Sequence, residues 1–505
     1  MTILLDNAAS VGKDDFIARH DLWTLEQQEA AQRARAQLAE HDIRFVRVNM
    51  VDPHGKQRGK TLLTDAFDGV LRNGVDFSTA AYHFDTADTI VYDAFQAGGG
   101  LGISQMSGFP DAVLVPDPLT FRILPWAPNT AWVIGNTYFD DGTPMPFDPR
   151  SVLQRSLDAL GAAGYRYLAG LEVEFYLTRV VSTSLAPDQL GGPGTPAAPP
   201  IVEAVANGYC YQSDDHQDQI EEILAVLADN ILGVDLPLRT MEDEWGPGQC
   251  EFTFAPMLGL AAADAMMLFK ATVKQVARRL GLHATFMCRP GLPSFFSSGW
   301  HLHQSLLDPA GANAFATPEG SPELISDVGR WFVGGLVEHA TAASVFTTPT
   351  VNGYRRRKAF SLAPDRATWG YDNRAAMCRL QGAAGDPSTH VENRVGEPAA
   401  NPYLYLASQV VAGLDGLNRR LDPGPFEIEP YSAVDRPLLP TSLGDALSLL
   451  KASTLYREAF GDAFVDWYVG LKESEVNRFL AAEPNWDDDP DTVTGWEQRE
   501  YFAQY

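Results

Sequence analysis

Four short apolar segments of this chain carry acidic or imidazole side chains at alternate positions, and that spacing constrains the fold more than any other feature. In Gly170-Leu-Glu-Val-Glu-Phe-Tyr176 an extended backbone points Glu172 and Glu174 to one face, and Val173 and Phe175 to the other. The same alternation groups His301 with His303 in Ser298-Gly-Trp-His-Leu-His-Gln-Ser305, and Glu392 with Arg394 in His390-Val-Glu-Asn-Arg-Val395. In Glu244-Trp-Gly-Pro-Gly-Gln-Cys-Glu251 an acid stands on each side of a Gly/Pro turn, with Cys250 on the buried face opposite Glu251. Two carboxylates on one strand face repel each other, and a hard divalent cation with oxygen ligands relieves this. Each segment alone also fits a plainer reading, such as an edge strand with its polar face in water or a satisfied core histidine. Four strands that each bring such groups to one face imply a shared site.

Opposite charge is supplied between Asn352 and Arg379, where seven basic residues against two acids leave a local excess of five positive charges. Alone this reads as a solvated face; beside a cation site it suggests a polyanionic substrate such as a nucleoside triphosphate. No Gly-x-x-x-x-Gly-Lys-Ser/Thr loop occurs, and Gly98-Gly-Gly-Leu-Gly102 reads as a flexible loop because no lysine and helix follow. Phosphates would then be held by metals and arginines.

Composition narrows the partners. Among 505 residues, 65 acids against 38 bases give a net charge of −27, which excludes a general nucleic-acid binder and electrostatic attachment to an anionic membrane. No window approaches the ~20 apolar residues of a membrane span. Met1 to Arg19 lacks the apolar core of a targeting signal, and the four cysteines form no CxxC pair, so a reducing cytoplasm is expected.

The length exceeds the roughly 250–300 residues at which one core stops growing. A helix from the capping box Thr24-Leu-Glu-Gln27 to Glu40 gives an N-terminal extension over 1–40, a small α+β domain follows over 41–144, and a larger domain over 145–505. In the larger domain, helices are expected near Arg150–Ala163, Asp218–Ile231 and Leu260–Leu280, from Pro322 to about Ala343 with Ser321 as cap, and over Pro402–Leu421 with Asn401 as cap. Strands are expected at Tyr167–Thr178, Gln249–Phe254, Trp300–Leu306 and Val391–Val395, and Ala186–Pro200 reads as a Gly/Pro-rich loop.

These motifs, with Asn352-Gly-Tyr-Arg-Arg356, Asp372-Asn-Arg374 and Glu392-Asn-Arg-Val-Gly-Glu-Pro398, resemble the glutamine synthetase family in type and order, from about Arg44 to the C-terminus. The resemblance implies an α+β fold: a small β-grasp-like N-terminal domain and a large catalytic domain with a curved antiparallel sheet. It implies a homo-oligomer of stacked hexameric rings with active sites between subunits. It also implies ATP and at least two Mg2+ or Mn2+ ions per site, one held by Glu174, Glu244 and Glu251, another by Glu172, His301 and Glu392. His303 and Ser305 fall on the nucleotide side, and Arg356 and Arg394 are the implied glutamate clamps. Arg374 and Arg379 would neutralise phosphates during transfer, and Asp76 would serve the nitrogen site of a neighbouring subunit.

The departures from the family pattern concern the nitrogen substrate. Where ammonia-using members carry a glutamate in a Glu-Ala-Pro triplet, this chain has Leu362-Ala-Pro364. The Asn-Gly pair expected before the metal histidine is Phe296-Ser297, and His390 replaces an expected arginine. Leu362, Phe296 and Trp300 would favour an apolar amine, and the continuation Ala363-Pro-Asp-Arg-Ala-Thr-Trp-Gly-Tyr-Asp-Asn-Arg374 resembles the branch of γ-glutamylpolyamine and γ-glutamylanilide synthetases. The expected activity is therefore ATP-dependent ligation of L-glutamate to an organic amine, an aromatic or small apolar monoamine, through a γ-glutamyl phosphate, in amine catabolism. The alternatives are an ordinary glutamine synthetase, a γ-glutamylpolyamine synthetase, and a non-catalytic scaffold of the same fold.

Overall fold

The computed structural model describes residues 14–96, 99–183, 186–489 and 491–505. The readings made on the first 13 residues and on Gly98 lie outside these. The described chain forms two compact units, one of residues 1–52, 57–82 and 92–151, the other of residues 53–56, 83–91 and 152–505.

In the first unit, the hairpin Phe45–Val51 with Gln57–Leu63 leads into the helix Thr64–Asn73. The strand Thr130–Tyr138 lies parallel to Phe45–Val51, and Asp111–Pro116 and Val75–Ser78 continue the sheet in antiparallel order. This hairpin–helix–sheet arrangement is β-grasp-like. Helix Leu25–Glu40 starts at Thr24 with the expected capping box, in which Gln27 and Thr24 satisfy each other's backbone N–H.

In the second unit, ten strands form one sheet around the long strand Arg166–Ser182. Gln249–Phe254 and Trp300–Leu307 flank it, both antiparallel, and His390–Gly396 pairs with Trp300–Leu307. Alternation along these strands separates core from site. Phe175 faces Phe252, Phe269 and Phe286 at ring distances of 5.2, 5.8 and 5.3 Å, and Phe269 belongs to the helix Gly259–Arg279 that covers this apolar face. Glu172 and Glu174 therefore emerge on the other face.

Helix Pro402–Arg419 begins as expected, with the Asn401 side chain accepting from the N–H groups of Tyr403 and Leu404. It packs closely on helix Asp327–Glu338: a Cβ on Gly335 would stand 1.9 Å from the Ala412 carbonyl oxygen, so only glycine fits there. The helix expected from Pro322 instead starts at Asp327, because Ser326 and not Ser321 caps it, accepting from Gly329 N. It stops at Glu338, and a second helix runs Ala340–Thr347. Beyond residue 440 the described residues form four helices: Leu443–Ala452, Thr454–Phe460, Asp462–Ala482 and Gly495–Tyr501. Among the described residues, no helix is long and apolar enough to cross a membrane.

Candidate active site

Strand register brings the expected acids and histidines together. Glu251 lies directly across from Glu174 on one side and Glu242 on the other, so three carboxylates form a row over three strands. A second row pairs His301 with Glu172, and a third aligns His303, Glu392 and Arg379. Glu244 follows the strand Leu238–Asp243 and lines the same cavity as Glu172, Glu174 and Glu251, whose volume is about 970 Å³.

The electrostatics of this cluster follow from its geometry. Burial and the neighbouring carboxylates push Glu251 up to about 11 and Glu244 up to about 8. Burial also raises Glu174, whose carboxylate accepts from Gln249 Nε2 at 3.0 Å. Glu172 moves the other way: burial alone would raise it, but His301 and His303, at 2.5 and 3.0 Å, hold it far below the usual range. Arg356 Nη2 lies 3.2 Å from His301 Nε2, and the other ring nitrogen, Nδ1, faces Glu172. Acids that can ionise only at such cost, beside imidazole nitrogens, are a donor set suited to hard divalent cations.

Among the described residues, two groups bring their ligand atoms within 4.8 Å of one another: Glu172, Glu251 and His301, and Glu172, His303 and Glu392. Glu172 is common to both. Neither group coincides with an expected set: the first joins Glu172 and His301 to Glu251, and in the second His303, the register partner of Glu392, stands beside Glu172, with His301 Nδ1 3.5 Å from the Glu392 carboxylate. Glu392 is also fully buried and ion-paired with Arg394 and, at 3.0 Å, with Arg379. Burial would raise its carboxyl, but the charge of Arg394, with His301 and His303, outweighs burial and holds it low.

Arg356, Arg374, Arg379 and Arg394 all line the large cavity. Arg356 is fixed by donation to the carbonyls of Arg394 (2.8 Å) and Gly396 (3.5 Å). His303 and Ser305 line a second cavity of about 530 Å³, which shares Glu172 with the first. His390, also in its wall, contacts His303 at 3.0 Å.

The apolar residues divide. Phe296 and Leu362 line the large cavity, and Leu362 adopts φ 62°, beside Phe360 at φ 61°, in a strained left-handed turn. Trp300 does not line it. The alternation that turns His301 inward turns Trp300 into the core, where it is 0% exposed and packs edge-on against Tyr405 at 4.9 Å. Asp76 is an exposed residue of the strand Val75–Ser78 in the first unit.

An aromatic wall escaped the sequence reading. Tyr211 stacks on Trp245 (5.7 Å, 12°), Tyr209 meets Phe296 edge-on (5.4 Å), and Trp245 lies 6.4 Å from Phe296. All four line the large cavity. Tyr209 and Tyr211 lie in a loop with no period to mark them, more than thirty residues before Glu244 in the sequence. Glu242, held by Gln212 and Thr240, was also missed.

A buried acid–imidazole cluster rimmed by arginines is equipped for phosphoryl transfer to a carboxylate, the work of ATP-dependent carbon–nitrogen ligases. Residues 146–489 match the family model for the glutamine synthetase catalytic domain. The chain belongs to the glutamine synthetase family, whose enzymes use ATP and divalent metal ions. It is 44% identical over 497 residues to a γ-glutamylanilide synthase of Acinetobacter sp, covering 97% of this chain and 99% of that one. It is 31% identical to a glutamate–isopropylamine ligase of Pseudomonas sp, over 90% of this chain and 96% of that one. A solved ligand-free GmaS structure superposes with a TM-score of 0.73 at 29% identity, over 92% of this chain and 98% of that one.

Proposed function

We propose that this protein joins the γ-carboxylate of L-glutamate to an aromatic monoamine at the expense of ATP. The observation that carries the amine class is the wall of Tyr209, Tyr211, Trp245 and Phe296 beside the acid cluster, with Leu362 where a cation-binding acid would serve ammonia. Planar rings offer an arylamine stacked and edge-on contacts, each about 0.5–1.5 kcal/mol beyond area burial. The 44% identity to a γ-glutamylanilide synthase supports the same class.

In the first step a γ-carboxylate oxygen of glutamate forms a bond to the terminal phosphorus of ATP, and the bond to the ADP oxygen breaks. Arg356 is assigned to the carboxylate of glutamate, while Arg374 and Arg379 face the charge on the transferring phosphoryl group. In the second step the amine nitrogen bonds to the acyl carbon, phosphate leaves, and the nitrogen gives up a proton. Asp76 of a neighbouring copy, in a ring-forming homo-oligomer of stacked hexamers, is assigned as its acceptor. Two divalent ions, Mg2+ or Mn2+, held by Glu174, Glu244 and Glu251 and by Glu172, His301 and Glu392, would supply charge neutralisation for the phosphates. Arg394 is kept as a glutamate contact, and His303 and Ser305 on the nucleotide side. The order of the three domains proposed from the sequence, 1–40, 41–144 and 145–505, is kept with this reading.

The test is ADP release coupled across ammonia, methylamine, isopropylamine, aniline and putrescine. This reading expects aniline to give the largest kcat/KM. Putrescine in first place would point to a polyamine synthetase, and no ADP release with any amine would point to a scaffold.

A further inference from the structure

The short helix Gly495–Tyr501 holds a carboxylate, Glu497, that is completely buried and yet accepts from four donors. Arg355 gives two of them in a fork, Nε to Oε1 at 3.2 Å and Nη2 to Oε2 at 2.9 Å. Asn352 Nδ2 donates to Oε1 at 3.0 Å, and the backbone N–H of Thr494 donates to Oε2 at 2.9 Å, closing a capping box. Asn352 in turn exchanges two bonds with the backbone of Arg289, at 2.8 and 3.0 Å. One residue on, Gln498 accepts from Gly291 N at 2.7 Å, and Tyr501 accepts from Val351 N at 3.3 Å. A single turn of helix thus anchors both the Arg289–Gly291 loop and the turn Asn352–Arg356.

Both anchored segments reach the large cavity, through Arg289, Arg355 and Arg356. Arg356 is the residue next to the fork. Its guanidinium touches His301 and the carbonyl of Arg394 on the sheet, while its backbone is tied to this helix through Arg355 and Asn352. Losing the Glu497 charge would leave the Arg355 guanidinium, 4% exposed, buried beside no carboxylate at that fork. The turn would shift to relieve this, and a misplacement of about 1 Å can cost about a hundredfold in a positioned contact.

We propose that Glu497 is a positioning residue: through Arg355 and Asn352 it sets where the Arg356 guanidinium meets the substrate carboxylate. This rests on Arg356 being the glutamate clamp. Its sequence signature is only a capping-box acid, Thr494-Gly-Trp-Glu497, 142 positions beyond Arg355.

Glu497→Gln in the full chain keeps size and the capping acceptor but removes the charge. The expected result is a KM for glutamate raised about tenfold, with KM for ATP within about twofold and kcat lowered less than about threefold. A loss of folded enzyme would lower kcat and leave every KM unchanged, so a folded variant with unchanged KM for glutamate overturns the proposal. Arg356→Ala separates the two layers. If it raises KM for glutamate and Glu497→Gln does not, only the positioning role falls; if it leaves KM unchanged, the clamp assignment falls as well. Should Glu497→Gln fail to fold, Arg355→Lys keeps the charge but loses the fork, and it must show the same selective rise in KM for glutamate; an unchanged KM there overturns the proposal.

Discussion

Glu251 and Glu174 face each other across two antiparallel strands, both less than a tenth exposed, with Glu242 in register beyond Glu251. Such a row is costly unless a cation enters it. Because Glu251 holds its proton up to about 11, replacing it with glutamine removes little charge from the metal-free protein. Glu251→Gln is therefore expected to melt close to wild type in chelator. Added Mg2+ should stabilise the wild type by about 2.7 kcal/mol at a hundredfold excess over Kd, and the variant far less. Equal Mg2+-dependent shifts in Tm would remove Glu251 from the metal set.

Gly299 sits where a Cβ would stand 2.5 Å from Arg356 Nη2 and 3.0 Å from Glu174 Oε1. Gly299→Ala should displace the Arg356 head and raise KM for glutamate, by about ten- to a hundredfold for a charged contact worth about 1.5–3 kcal/mol. Steady-state kinetics with saturating ATP and amine reads this directly. A KM within about twofold of wild type would mean that Arg356 does not hold glutamate.

Phe296 is anchored by its backbone, whose N–H donates to the Tyr176 hydroxyl at 2.7 Å, so truncating its ring leaves the loop in place. Phe296→Ala is expected to lower kcat/KM for aniline about tenfold or more and that for methylamine less than about threefold. Parallel losses for both amines would show that the wall does not select the ring.

Glu397 is wholly buried and is pushed up to about 7 by burial, although Thr350 N and Oγ1 donate to it at 2.8 to 2.9 Å. In the unfolded chain this carboxyl titrates near 4.5. Between those values the folded protein keeps a proton that the unfolded chain has released. Its contribution is fully present below pH ~4.5 and is lost as pH rises through about 7, an effect on the order of 3 kcal/mol. The Tm of Glu397→Gln relative to wild type should therefore rise by a few degrees from pH 5 to pH 7.5. A Tm difference independent of pH would contradict the assignment.

The alternating segments made the site legible, because period 2 in a strand assigns faces without knowledge of the partner strands. It grouped Glu172 with Glu174, and His301 with His303, and the same rule, applied one residue earlier, would have kept Trp300 out of the pocket. Register was not legible: nothing in the chain says that His303 rather than His301 stands across from Glu392, or that Glu242 faces Glu251. Side chains on irregular backbone, Tyr209 and Tyr211, carry no period at all. Long-range pairs such as Arg355 with Glu497 depend on how the terminal helices pack, and a capping box looks the same whether its acid is solvated or buried. The start of helix Asp327–Glu338 was misplaced because two serines five residues apart are equally good caps, and only tertiary contact, Ser326 Oγ donating to Ala314 O, decides between them.

The proposed activity requires that an aromatic amine, not ammonia, be the nitrogen substrate. The direct measurement is kcat/KM for aniline and for ammonia with the same enzyme, glutamate and ATP, with the γ-glutamylamide identified by mass. Aniline is expected to exceed ammonia by at least about a hundredfold, the discrimination that roughly 3 kcal/mol of ring contact supplies. A larger kcat/KM for ammonia, with glutamine as the product, would rule out an aromatic amine as the preferred substrate.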